Sequence, residues 1–366
     1  MIFNRLGAVA VLSALLATST AQSQGLDGII PTPENPPTRL GTRGANFLHL
    51  PIGARGGAMA GAVGSTVRGP MAWFWNPAGA ASSEGFSVVA GRQNVYDDLG
   101  LAQHYAAASL PLLGGVVGLG LNTLSSGDID RTTESAPFGD VALGRTFTWT
   151  STAVSLGYGR RLTDRLTIGG QFKYISEGIP DANTSWIAAD FGTQFNTGIY
   201  GLVLGGALQH IGGSAEASGS LIGRIVSTDD FSRQDARIDL AVRETELPTA
   251  FQFSVASNLY GDAESLLGPG GGTHRLLAEF ALTDGVDLAA QTGIGVEYSY
   301  SNFFFARGGK KFYNDDRSTG SSAKYGLSGG FGVRLPIADR DVRFDYSYTS
   351  LGDLQNIQIF SFEFGR

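Results

Sequence analysis

The stretch Tyr325-Gly-Leu-Ser-Gly-Gly-Phe-Gly-Val-Arg-Leu335 places its apolar side chains only at odd positions, with glycine, serine or arginine at the even ones. Side chains alternate across a strand, so this segment has one apolar face and one small or polar face. A soluble sandwich buries its apolar faces, whereas a membrane barrel turns them toward lipid and keeps polar residues inside. One strand does not separate these two folds, so the evidence must come from the rest of the chain.

The same alternation continues from Gly85 to the end of the chain, in segments about long enough to cross a membrane as tilted strands. We predict about fourteen strands, an even number as in single-chain bacterial barrels. They cover residues 86–96, 102–112, 116–124, 146–161, 166–177, 185–196, 199–211, 249–260, 273–283, 288–299, 303–313, 323–335, 342–349 and 356–364.

The start of the chain predicts export. Residues 6–17 are an apolar run, followed by the small residues Ser19, Thr20 and Ala21, which is typical of a cleaved signal peptide at residues 1–21. The run is too short for a transmembrane helix. The predicted domains after the signal peptide are a Pro-rich tether (22–44), a hatch or plug segment (45–84) and an outer-membrane β-barrel (85–366).

The links between predicted strands support a barrel, because periplasmic turns are short and extracellular loops are longer. If the first strand runs outward, the short links at 163–165, 197–198 and 301–302 are periplasmic, and the long links at 125–145 and 212–248 are extracellular. Two links do not follow the rule: residues 261–272 are long where a short turn is expected, and residues 284–287 are short where a loop is expected.

The last strand carries aromatic rings on one face, at Phe360, Phe362 and Phe364. An aromatic-rich strand at the end of the chain resembles the signal that outer-membrane barrel assembly machinery reads. The alternative is an ordinary edge strand of a secreted sandwich. With the signal peptide and the strand number, we predict an all-β fold: a transmembrane antiparallel β-barrel of about 14 strands with an N-terminal hatch or plug, located in the outer membrane and in contact with its lipid.

Composition excludes several classes of function. The chain has 26 basic and 33 acidic residues and shows no basic patch, which argues against nucleic acid as a partner. With no cysteine there is no disulfide or thiolate metal site, and the four histidines, His49, His104, His210 and His274, are scattered. Residues 326–330 match G-x-S-x-G but lie in the middle of a strand rather than at a strand-to-helix turn. We therefore expect no catalytic residue, no metal, no cofactor and no enzyme activity.

A set of polar residues falls on the face opposite to the apolar one. These residues are Gln171, Lys173, Arg275, Glu279, Glu297, Arg334, Arg343 and Asp345. A charge that faces lipid near the midplane costs roughly 2–4 kcal/mol for Arg or Lys, so the pattern predicts a wet or plug-filled interior. The residues either pair with one another and with the plug or form a dedicated substrate site.

Residues 47–61 and 69–79 form the most individual stretch of the sequence. Asn76-Pro77 predicts a turn, and the rings of Trp73, Phe74 and Trp75 would suit a membrane interface or the barrel wall. The stretch resembles the start of the PorV/PorQ family of outer-membrane proteins, relatives of the FadL long-chain fatty-acid transporters, whose hatch also carries an Asn-Pro-Ala turn. Further similar segments lie at 247–249, 295–298, 306–308, 344–348 and 351–352.

The resemblance implies a shuttle or adaptor of type IX protein secretion that binds the C-terminal signal domain of cargo, with a translocon subunit and cargo as partners. It implies a hatch motif at Trp75, Asn76, Pro77 and Ala78. The assembly signal that we predict at Phe360, Phe362 and Phe364 rests on the pattern of the last strand instead. The alternative is a FadL-like channel for long-chain fatty acids or other hydrophobic solutes. The family's acidic pair before the turn is replaced here by residues 67–70, and residues 212–243 form a long insertion, so partner specificity does not transfer residue by residue.

Overall fold

A computed structural model provides the structure of the chain. It describes residues 41–96, 100–132, 136–139, 146–226, 236–239, 241–269, 271–313, 326–351 and 356–365. The predicted signal peptide and nearly all of the predicted tether lie outside the described residues. No helix within these ranges is long and apolar enough to cross a membrane.

Fourteen strands form one closed antiparallel barrel, as predicted from the sequence. They are β1 (Ser87–Val95), β2 (Leu101–Leu112), β3 (Gly115–Ser125), β6 (Thr150–Arg161), β7 (Leu166–Ile179), β8 (Ala182–Asn196), β9 (Leu202–Gly212), β12 (Ala250–Tyr260), β13 (His274–Gly285), β14 (Leu288–Tyr300), β15 (Phe304–Tyr313), β16 (Leu327–Ile337), β17 (Arg340–Ser350) and β18 (Asn356–Gly365). Each strand pairs with its neighbour in this order, and β1 closes the ring on β18 with Val88 opposite Phe364.

Two short hairpins lie in the long links between barrel strands. They are β4 (Ile129–Asp130) with β5 (Thr146–Phe147), and β10 (Gly223–Val226) with β11 (Ala236–Asp239). The strand predicted at residues 146–161 is therefore divided, because residues 146–147 pair with the loop and only β6 joins the barrel.

The orientation of side chains in β7 shows which face of the wall meets lipid. Gln171 and Lys173 are buried inside the barrel, while Phe172 between them is 70% exposed on the outside. The same holds in β8, where Ile187 is 72% exposed and its neighbours Trp186 and Ala188 are buried. Apolar side chains thus face outward and polar ones inward, which is the pattern of a barrel embedded in a membrane.

The links between strands define the two ends of the barrel. Short turns at residues 113–114, 162–165 and 338–339 lie at one end, which we take as periplasmic. The long links 126–149 and 213–249 lie at the other, extracellular end. Both exceptions in the sequence pattern are present, since the periplasmic link 261–273 is long and the extracellular turn 286–287 is short.

Residues 45–84, which we call the plug, occupy the lumen. They form short helical turns at Asn46–His49, Ala54–Ala58, Gly69–Met71, Ala72–Trp75 and Pro77–Ser82. The main apolar core therefore lies between plug and wall, and includes Met59, Val63 and Trp73 of the plug with Val89 and Ile359 of the wall. Trp73 is 1% exposed inside the lumen, so the expectation that this ring lies at an interface or in the barrel wall is wrong.

Candidate functional site: the plugged lumen

The plug begins at the extracellular end of the lumen. The Gly44 amide donates to the Glu246 carbonyl at 3.0 Å, and the Ala45 amide donates to Oε1 of Glu177 at 3.2 Å. Nε2 of His49 lies 3.1 Å from Oδ1 of Asp287, in the short extracellular turn. These contacts hold residues 44–49 against the rim and the long loop between β9 and β12.

Apolar side chains surround the first part of the plug. Phe47 is buried against Ile175, Trp186 and Leu247, which point inward from the wall and the loop. The indole of Trp186 donates to the Thr245 carbonyl at 2.8 Å, so the loop that covers this end is fixed to the wall. One side of the extracellular half of the lumen, at β7 and β8, therefore has an apolar lining that residues 45–52 fill. On the side of β1–β3, the buried amides of Gln93, Gln103 and Asn122 hydrogen-bond to one another.

The predicted hatch motif lies deeper in the lumen. Asn76 is fully buried, and its Oδ1 accepts a hydrogen bond from the Ala78 amide at 3.1 Å. Its Nδ2 donates to the Gly64 carbonyl at 2.9 Å and to the Thr193 carbonyl in β8 at 3.0 Å. A side chain with both a donor and an acceptor is needed here. The carbonyl oxygen caps the next turn, and the amide nitrogen joins another part of the plug to the wall.

Two residues next to Asn76 also help to hold the plug in its conformation. Pro77 is the first residue of a short 3₁₀ helix, where its fixed φ is favourable and its missing N–H has no cost. The Trp75 indole donates to the Ile52 carbonyl at 2.8 Å, so it connects the motif to the start of the plug. The structure thus gives residues 75–78 a positioning role within the plug.

The wall meets the plug through a path of inward-facing glycines. A Cβ at any of these positions would come within 2.0–2.8 Å of plug atoms. They are Gly118 and Gly157 beside Trp73, Gly169 beside Pro77, Gly192 beside Asn76, Gly205 beside Ser65, Gly293 beside Ala60, Gly295 and Gly309 beside Met59, and Gly330 beside Ala58. Only glycine permits the plug to approach the wall backbone so closely, so these nine glycines serve plug docking.

A buried ionic network joins the plug to β13–β17. Nε of Arg55 in the plug donates to Oε2 of Glu297 at 2.9 Å, and Glu297 also pairs with Arg307. Nη1 of Arg307 donates in turn to Oδ1 of Asp345 at 2.7 Å. Glu279 accepts from the amide and hydroxyl of Ser65 at 2.8 and 2.7 Å. Several polar residues predicted to face inward therefore pair with the plug and with one another.

A second buried network lies at an irregularity in the wall. The pairing of β8 and β9 shifts between Ala189 and Phe191, and His210 has a positive φ of 59°. The His210 amide donates to Oδ1 of Asp190 at 2.8 Å, and Nζ of Lys173 lies 2.6 Å from Oδ2 of Asp190. The carboxylate thus replaces a backbone acceptor that the bulge removes.

The periplasmic part of the lumen contains a cavity of about 510 Å³ between the plug and the wall. Charged side chains line it, among them Arg68 of the plug and Arg275, Arg334 and Arg343 of the wall. Arg68 is exposed to the space of the cavity but is otherwise surrounded by protein. This desolvation, and then the charges of Arg55 and Arg161, lower its pKa.

Other predicted sites are also located by the structure. Phe360 and Phe362 are exposed on the outer face of β18, and Phe364 lies on the same face. Ser328, the serine of G-x-S-x-G, lies within β16 and donates to the Ala58 carbonyl at 2.9 Å. Within the described part of the chain, no group of three or more His, Asp or Glu residues could hold a metal ion.

Sequence reasoning missed three parts of this site. Arg307 was not among the predicted inward-facing polar residues, although it lies at the centre of the ionic network. Its alternation with Phe304 and Ala306, which face outward, could have identified it. The glycine path and the Lys173–Asp190–His210 contact depend on pairing across strands, and the order of residues along one strand does not carry that information.

Comparison with known proteins adds the fold class. No family model matches the chain, and no curated protein matches it. Among solved structures, the Pseudomonas putida toluene transporter TodX matches with a TM-score of 0.52 and 13% identity, over 86% of this chain and 96% of that one. The Ralstonia pickettii toluene transporter TbuX matches at 0.48 with 14% identity, over 84% and 97%. A Pseudomonas aeruginosa FadL homologue matches at 0.47 with 12% identity, over 86% and 97%.

At this level of identity the likeness to TodX shows the fold alone. The chain has the same barrel fold as TodX, in agreement with the fold that the sequence resemblance implies. The likeness gives no information on membership of the PorV/PorQ family.

Proposed function

We propose that this protein is an outer-membrane channel for small apolar solutes and that the first part of the plug is its gate. The observation that carries the proposal is the apolar lining on one side of the extracellular half of the lumen, where Ile175, Trp186 and Leu247 surround Phe47. A pore for hydrophilic solutes has a polar, water-filled interior. By contrast, the transfer of an apolar solute from water to such a lining is favourable.

The contacts of the plug divide it into two parts. The wall glycines that approach plug atoms do so at residues 58–77, and none of the described glycines approaches residues 45–52. Residues 45–52 are held instead by side-chain contacts at the rim, including the pair of His49 and Asp287. This first part can leave the lining when the Trp75 indole releases the Ile52 carbonyl, and we take it as the gate.

The fold comparison supports a channel rather than a secretion shuttle. TodX, a toluene transporter, has a barrel of the same fold. The type IX adaptor role, which the sequence resemblance implies first, has no support from these comparisons. It remains the competing hypothesis, with residues 125–145 and 212–248 as the loops that would meet cargo or a translocon subunit.

The test is uptake of labelled toluene by cells that lack the chromosomal gene and carry it on a plasmid. The variant is His49→Cys/Asp287→Cys, in a chain with no native cysteine, joined by a short bis-methanethiosulfonate. This reagent forms one reducible disulfide with each cysteine and releases methanesulfinate. We expect uptake by the wild type, loss of uptake after cross-linking, and recovery when the linker is cleaved. Each single-cysteine variant with the same reagent is the matched control.

Two results would contradict the proposal. One is equal uptake by deletion and complemented cells. The other is full uptake by cross-linked protein, which would leave the channel intact but place the gate elsewhere. A deletion strain that takes up solute normally and fails to secrete or attach cargo with type IX C-terminal domains would favour the shuttle.

A further inference from the structure

The periplasmic cavity has a composition that the passage of an apolar solute does not explain. It lies between the plug and the wall, and charged side chains line it. Five are arginines, at positions 55, 68, 275, 334 and 343, and four are carboxylates, at positions 297, 341, 345 and 363. A purely apolar solute gains nothing from these groups. The cavity therefore calls for a ligand of another chemistry.

Two of these arginines stand directly opposite each other. Arg334 of β16 is the register partner of Arg343 of β17, and both face the cavity. Like charges in this position are destabilising. Arg334 pairs with Asp341, and Arg343 lies 2.8 Å from Asp345, so each has one carboxylate. Asp345 is shared with Arg307, and the side chain of Asp341 is 34% exposed.

Several hydrogen-bond donors at the cavity have no partner. Nη2 of Arg343 and the hydroxyls of Ser83 and Ser87 are buried atoms without a hydrogen bond in the described part of the chain. Arg68 has no hydrogen bond or ion pair to an acidic residue among the described residues, and its closest charged neighbours include Arg55 and Arg161. A buried donor without a partner costs free energy, so a ligand that accepts hydrogen bonds is favoured here.

Apolar side chains also line the cavity. Val89, Leu277 and Phe305 line it, and the guanidinium of Arg343 lies 4.7 Å from the centre of the Phe305 ring. The volume of about 510 Å³ falls in the usual range for sites of small organic ligands. A bare inorganic ion would leave this apolar surface without a contact.

We propose that the periplasmic cavity is a binding site for a small organic anion. Its carboxylate lies between Arg68, Arg334 and Arg343, and its apolar body lies against Leu277 and Phe305. Glu363 lines the same cavity opposite Arg343 and limits the ligand to a low negative charge. The site goes beyond the proposed channel function and does not depend on it.

Purified barrel in detergent micelles, studied by isothermal titration calorimetry, tests the site. The probes are benzoate, inorganic phosphate and benzyl alcohol, which separate an organic anion from a free oxyanion and from an uncharged ring. We expect saturable benzoate binding that weakens with added salt, and at least roughly tenfold weaker binding of the other two probes, since each lacks one half of the contacts.

Arg68→Gln is the main variant, because it removes a guanidinium that holds no other residue in place. We expect roughly tenfold weaker benzoate binding or more, the usual loss for one charge-assisted contact. Arg92→Gln, an exposed arginine on the outer face of β1, is the matched control and should bind like the wild type. Arg334→Gln is a second variant at the site, and heat-modifiable migration on gels confirms that each variant is folded.

Three outcomes would overturn the assignment: no benzoate binding by the wild type, equal binding by Arg68→Gln and the wild type, or phosphate or benzyl alcohol binding as tightly as benzoate. Because the measurement involves no transport, loss of toluene uptake in cells leaves this result unaffected.

Discussion

Replacement of Gly169 by alanine tests whether the wall glycines are docking positions for the plug. An added Cβ would lie 2.4 Å from the carbonyl carbon and oxygen of Pro77 and 2.7 Å from the Ala78 nitrogen. All three are backbone atoms, so a rotamer change does not relieve the overlap. Ordinary contact requires a displacement of roughly 1 Å. Overpacking of this kind costs about 1–3 kcal/mol, and the backbone obstacle places Gly169→Ala near the upper value.

The matched control is Gly170→Ala, one residue further along β7. There a Cβ would face outward, with its nearest atoms 3.5 Å away in Asp190 and Phe191. Urea unfolding in lipid vesicles, followed by heat-modifiable migration, compares the two. A loss of about 3 kcal/mol corresponds to a midpoint lower by about 1 M for Gly169→Ala, while Gly170→Ala stays within error of the wild type. Equal midpoints for the two variants would refute plug docking through this glycine.

Three further predictions concern the wall and its contacts. Phe331→Arg should reduce outer-membrane yield, because it places a charge on the lipid face at a cost of roughly 2–4 kcal/mol near the midplane. From the sequence alone, Gly330→Ser is expected to be mild. The structure predicts that it also destabilises the barrel, since the added Cβ would lie 2.8 Å from Cβ of Ala58. Deletion of residues 364–366 should leave the chain in periplasmic aggregates, and recovery of a protease-resistant barrel would place the assembly signal elsewhere. Glu297→Gln should lower the unfolding free energy by about 3–5 kcal/mol, because it leaves Arg55 without its carboxylate and Arg307 with Asp345 alone. The matched control is Arg131→Gln, in an exposed ion pair with Asp181, which should change the unfolding free energy by less than about 1 kcal/mol in the same urea assay.

The barrel could be predicted from the sequence because the signal for it is local. Alternation of Phe172 with Gln171 and Lys173 assigns the two faces of β7 without knowledge of its neighbours. Strand ends were less accurate: β7 and β8 extend to a turn at residues 180–181, beyond the predicted bounds. The residues next to this turn still pair across the hairpin, although the apolar alternation has already ended there.

The interior could be predicted only in part, because it depends on contacts between distant segments. Gly330 was placed on the small face of its strand, but its contact with Ala58, like that of Gly169 with Pro77, joins residues far apart in the chain. Trp73 has the composition of an interface residue, yet its indole donates to Ser109 at 3.0 Å inside the lumen. The apolar character of a ring does not show whether lipid or protein surrounds it.

The close fit between plug and glycines constrains the order in which the molecule is made. The plug precedes β1 in the chain, and the ring closes only when β18 pairs with β1. Residues 58–77 touch the wall on several sides, from β3 round to β16, at distances that leave no space for later entry. The plug must therefore be present between the strands before the last strand completes the ring. It acts as a template around which the nascent sheet curves, so a substitution in the plug can appear first as a defect in biogenesis.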